Sequence, residues 1–122
     1  MSKLKSYQDL EVWTKSIELA EQVYRLSAKF PVEERFGLTS QIRRAAASVA
    51  ANIAEGAARE GTREFLQFLG IAAGSLAEVE TFLVLTEKLG MATAEEITPV
   101  QAQAATVGRM LNGLKRSLRS KA

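Results

Sequence analysis

Glu55, Glu78 and Glu80 are the only acids flanked on both sides by apolar helical sequence, and paired carboxylates in such surroundings are one route to acid-base chemistry. A structural account fits the same residues: a carboxylate beside an apolar interface pairs with a cation, and Arg43 and Arg44 are the natural candidates. Histidine and cysteine are both absent. Their absence removes the commonest general base, every Ser-His or Cys-His arrangement, thiolate zinc sites and the Glu-x-x-His repeats of di-iron bundles. Carboxylate-only metal sites remain open by residue type alone. No Gly-x-Gly-x-x-Gly and no phosphate-cradling Gly-Lys-Ser loop occurs, so nucleotide hydrolysis has no support. The expectation is a protein that is not an enzyme, with no cofactor, no bound metal and no evident small-molecule substrate.

The charge distribution carries more information than the catalytic inventory. Residues 1–96 hold eleven Lys/Arg against all fourteen Asp/Glu, a net of −3, whereas residues 97–122 hold five cations and no acid. Those five are Arg109, Lys115, Arg116, Arg119 and Lys121. They could neutralise phosphates of RNA or DNA without reading sequence, although cations at a helix end are also favoured by the helix dipole alone. No aromatic residues alternate with them, which argues against base stacking.

The elements that must position these groups are helices. With 122 residues, 47% hydrophobic and 25% charged, the chain suits one globular domain spanning 1–122, able to bury roughly two-thirds of its unfolded surface. Leu10, Trp13, Ile17, Ala20 and Tyr24 share one face of a first helix, about 8–29, that should stop before Pro31. A second helix, about 33–57, aligns Leu38, Ile42, Ala46, Val49 and Ile53, with Gly56 as a stop. Its other flanks carry Ala47, Ala50, Ala54 and Ala57 and a polar stripe of Gln41, Arg44, Ser48, Asn52 and Glu55. A third, about 62–89 with Thr62 as N-cap, repeats Phe65, Leu69, Ala72, Leu76, Val79 and Leu83 and is closed by Gly90. For the fourth, Thr98 with Pro99 and Gln101 is preferred over Thr93 with Glu96 as the start, giving about 98–119 with Val100, Ala104, Val107, Leu111, Leu114 and Leu118 inward.

The fold class expected is therefore all-α, an antiparallel up-down four-helix bundle. No apolar run resembles a signal peptide or a membrane span, which leads to a cytoplasmic, membrane-free expectation. Helices two and three show more apolar surface than a lone bundle can cover: the alanine flank, and Phe68, Ile71 and Phe82 outside the third helix's seam. Self-association follows as an expectation, and with it a gathering of the basic helix ends. The competing reading is a structural or protein-interaction module that binds no polyanion.

Five separated stretches share a resemblance. They are Tyr7-Gln8-Asp9-Leu10-Glu11-Val12-Trp13, the run Phe36 to Ala45, the segment Ser48 to Gly56, Gly74-Ser75-Leu76-Ala77-Glu78, and Met110-Leu111-Asn112-Gly113-Leu114. Together they resemble the S23-like four-helix-bundle family of 23S rRNA intervening-sequence proteins over nearly the whole chain. Ala50 departs from that pattern, since the family often has proline there. The resemblance implies a ring, a homopentamer, and distant kinship to the accessory protein of diversity-generating retroelements, where a basic surface is assigned to nucleic acid. It carries over no catalytic residue. Gln41, Arg44, Asn52, Glu55 and Glu78 match the family's polar motif positions, and the resemblance implies a buried hydrogen-bonded network that fixes helix register; a binding role is the alternative.

Overall fold

The computed structural model describes residues 6–121. Among them are four α-helices and no strand: α1 (Glu11–Ser27), α2 (Leu38–Ala58), α3 (Thr62–Lys88) and α4 (Ala94–Arg119). Each helix packs on its neighbours in the cyclic order α1–α2–α3–α4–α1, with α2 against α3 the most extensive contact, and the diagonal pairs do not meet. Short connections make consecutive helices antiparallel, so the four stand at the corners of a square.

Three of the four core faces follow the apolar spacing. Leu38, Ile42, Ala46, Val49 and Ile53 of α2, Leu69, Ala72, Leu76, Val79 and Leu83 of α3, and Val100, Ala104, Val107 and Leu111 of α4 are all buried. The first helix corrects the expectation. Its buried face is Val12, Ser16, Leu19, Val23 and Leu26, while Ile17 and Tyr24 stay 37% and 46% exposed. Ser16 is admitted to the core because its hydroxyl donates to the Val12 carbonyl at 2.7 Å, which satisfies it within its own helix.

The helix ends also differ from expectation. Tyr7–Asp9 form a separate 3-10 turn capped by Ser6, and the extended Leu10 (φ −81°, ψ 124°) restarts the chain as α1. Between α1 and α2, Val32–Glu34 make a second 3-10 turn, and Gly37 at φ −106°, ψ −116° delays α2 to Leu38, whose N–H donates to Glu34 Oε1 at 3.1 Å. Gly56 does not stop α2. It remains helical and buried, because the face it presents lies against Phe65 and Phe68 of α3. The cap of α3 is Gly61, not Thr62, and no side chain bonds there.

The fourth helix starts at Ala94, four residues earlier than expected. Thr93 and Glu96 satisfy each other's backbone N–H groups in a capping box, and Lys29, just past the end of α1, adds a 2.8 Å ion pair to Glu96. These bonds outweigh the cost of carrying Pro99 one turn into the helix. At the far side, α3 closes as expected: Gly90 takes φ 71°, with Met91 N–H donating to the Thr86 carbonyl and Gly90 N–H to that of Glu87.

Candidate functional site

Two surfaces bring the singled-out residues together. The first is the end of the bundle where α4 finishes. Arg109, Arg116 and Arg119 fall on the exposed side of α4, with Lys115 half-buried beside them and Lys121 exposed past the helix end. Arg109 donates to Thr106 Oγ1 at 3.2 Å, and none of the five is in an ion pair among the described residues. Up-down topology places the start of α3 and the end of α2 at this same end, which adds Arg63 and Arg59 to it. Sequence reasoning missed those two because they stand among acids in the chain. Arg59 is held at 2.8 Å by Glu55 and lies over the Phe68 ring, whereas Arg63 is exposed.

The second surface is the outer groove between α2 and α3, and it revises the polar-network expectation. Gln41, Arg44, Glu55 and Glu78 are exposed and Asn52 is half-buried, so the set is not a buried network within one chain. The positions 41, 44, 48 and 78 are steered to the outer edge because the inner positions of both helices are taken by the apolar seams. Only Asn52 joins a cross-helix chain of bonds: its Nδ2 donates to the Ser48 carbonyl (2.8 Å) and hydroxyl (2.9 Å), and Ser75 Oγ donates to Ser48 Oγ at 2.9 Å. Gln41, Arg44, Ser48 and Glu78 line a concavity of about 150 Å³ with Ala45. Ser75 was the missed member, and its position facing Ser48 of the polar stripe across α2 and α3 identifies it.

The anticipated carboxylate partners are corrected as well. Glu55 pairs with Arg59, not with Arg43 or Arg44. Arg43 instead turns to α1, donating to Ser27 Oγ at 2.7 Å and to the Tyr24 carbonyl at 3.2 Å, and stacking over the Tyr24 ring. Among the described residues no group of three or more Asp or Glu side chains is arranged to hold a metal ion.

The apolar surface outside the core is uneven. Ile71 is 52% exposed, Leu85 and Leu89 are also exposed, and Phe36 in the α1–α2 connection is 88% exposed. By length and composition α3 is apolar enough to cross a membrane, contrary to the reading of its sequence; a third of that apolar window is buried in the bundle, and Phe65, Ala73 and Phe82 are half-buried against the core.

The family model described as 23S rRNA-intervening sequence protein matches residues 8–113. Among solved structures, a crystal structure from Bacteroides thetaiotaomicron, described as a protein with unknown function from the S23 ribosomal protein family, is similar with a TM-score of 0.78. It is 28% identical, and the match covers 85% of this chain and 97% of that one. No curated protein matches the chain.

Proposed function

We propose a function from one premise: the chain belongs to the 23S rRNA-intervening sequence protein family. It acts as a non-catalytic, cytoplasmic, self-associating bundle that gathers the basic ends of its fourth helices into a surface for RNA or DNA. The observation that carries the reading is the segregation of charge along the chain: the last 26 residues hold five cations and no acid, and four of them, Lys115, Arg116, Arg119 and Lys121, lie at the end of the bundle that also holds Arg63 and the acids Glu11, Glu60 and Glu64. One chain offers only a modest positive field. Several copies held side by side multiply it, and phosphate binding by counterion release grows with each cation engaged. A ring of five, which the resemblance implies, is the assembly we favour.

The test is binding of a generic RNA duplex and single strand across a salt series. Affinity falling steeply with salt, and lost in the Lys115→Glu/Arg116→Glu/Arg119→Glu variant, supports the site; retained affinity in that variant rejects it. The exposed Ile71, Leu85 and Leu89 favour a second reading, a protein-interaction module alone. That reading expects the same assembly with no polyanion bound at physiological salt.

A further inference from the structure

We infer that the α1–α2 connection forms a binding site for a small phosphate monoester. The site is a concavity of about 240 Å³ whose polar lining is Arg35, Arg43, Ser27 and Thr39 and whose apolar lining includes Pro31 and Val32. It stands apart from the nucleic-acid reading above. Up-down topology puts this connection at the end of the bundle opposite Lys115, Arg116 and Arg119, about 30 Å away by the length of α2.

Charge is the first argument. Among the cations near this end, Arg25 and Lys29 are taken by carboxylates, Glu21 and Glu96. Arg35 and Arg43 are in no ion pair among the described residues, and neither acid of the connection, Glu33 or Glu34, lines the concavity. Glu34 is engaged instead at the start of α2, where it accepts from the Leu38 N–H. Two guanidiniums lining one concavity repel each other, and an anion between them turns that repulsion into attraction.

Preorganisation is the second. Arg43 is pinned by its bonds from Nε to Ser27 Oγ and from Nη2 to the Tyr24 carbonyl, and by the Tyr24 ring 4.7 Å away. Its Nη1 is left without a bond in the chain, and a guanidinium already held loses little freedom when an oxyanion arrives. Arg35 bonds no other side chain and lies 5.6 Å from the centroid of the exposed Phe36 ring, free to turn towards the same anion. Thr39 brings its hydroxyl in the first turn of α2, where the opening N–H groups have no helical partner and the helix dipole favours negative charge.

The donor set selects the ligand. Two forked guanidiniums and a hydroxyl offer more donors than the two oxygens of a carboxylate use well, whereas a phosphate monoester brings three acceptor oxygens and about two negative charges near neutral pH. Pro31 and Val32, the latter 69% exposed, give an organic substituent an apolar wall to rest on, which bare phosphate lacks a use for.

The experiment is calorimetric titration of the full-length chain with phenyl phosphate and with inorganic phosphate, with helix content checked by circular dichroism. Phenyl phosphate should bind, and more tightly than inorganic phosphate. Arg35→Gln, which removes no bond within the chain, and Arg43→Lys, which keeps the charge without the fork, should each weaken it about tenfold or more. The Lys115→Glu/Arg116→Glu/Arg119→Glu variant should bind phenyl phosphate as the wild type does, and Arg35→Gln should bind RNA as the wild type does. No binding of either probe at millimolar concentration overturns the site. So does affinity that survives both arginine substitutions or disappears in the triple variant, since the phosphate then sits elsewhere. Equal affinity for the two probes overturns the monoester as ligand in favour of the free anion.

Discussion

A Cβ placed on Gly56 of α2 would lie 2.7 Å from the Cβ of Phe68 on α3, closer than non-bonded carbons come. The Phe65 ring would be 2.9 Å away. Here the two most extensively packed helices touch backbone to side chain, and the contact fixes how near α3 can approach. Gly56→Ala gains about 1 kcal/mol of helix propensity but forces α2 and α3 apart, at a cost of about 1–3 kcal/mol that exceeds the gain. Urea denaturation should show a lowered midpoint with an unchanged slope; an unchanged or raised midpoint would contradict the close contact.

Ser48 sits at the centre of the bonds that tie α2 to α3, accepting from both Asn52 and Ser75. Ser75→Ala removes the cross-helix donor from a largely buried position and should cost about 1 kcal/mol, read as a denaturation midpoint. Gln41→Ala, at an exposed position on the same groove, should cost under about 0.5 kcal/mol.

The start of α4 depends on Thr93, whose hydroxyl accepts the Glu96 N–H at 3.2 Å. Thr93→Ala should cost about 1 kcal/mol, and Thr98→Ala, at the start expected from sequence, should cost distinctly less. Equal losses would argue that the helix begins at the later residue.

Glu96 also gives stability a pH dependence. Its hydrogen bond from Lys29, with the Thr93 N–H and the Lys29 charge, lowers its pKa from 4.5 to about 2. A carboxylate depressed in the folded state stabilises it above the unfolded value and loses that contribution as protons return. Stability should therefore fall as pH drops from about 4.5 towards 2. Glu96→Gln should flatten this part of the profile, visible in thermal melts taken at intervals of pH.

How far the sequence carried the account depended on whether a helix has one apolar stripe or two. The core faces of α2 and α4 were legible because Ile42, Val49 and Ile53, or Val100, Val107 and Leu111, form the dominant apolar stripe of each. For α3 the buried stripe was recognised and the outward Ile71 noted. In α1 the expected stripe, with Trp13 and Ala20 half-buried against the core and only Ile17 and Tyr24 exposed, is bulkier than the fully buried one, which contains Ser16. Spacing alone cannot tell which of two such stripes faces the core; only the positions of the other helices decide. The basic end was half legible: Arg116 and Arg119 stand in an acid-free run, but Arg63 reaches that end only through the topology. The polar positions 41, 44, 52, 55 and 78 were found, and their exposure was not, since burial depends on where α3 sits across α2.

The central claim is that copies of the chain associate and gather the basic ends of their fourth helices. Absolute mass by light scattering, measured over a wide concentration range, tests it most directly. The account predicts a stable species of about five times 13.3 kDa, and a particle that remains at 13.3 kDa at every concentration would contradict it.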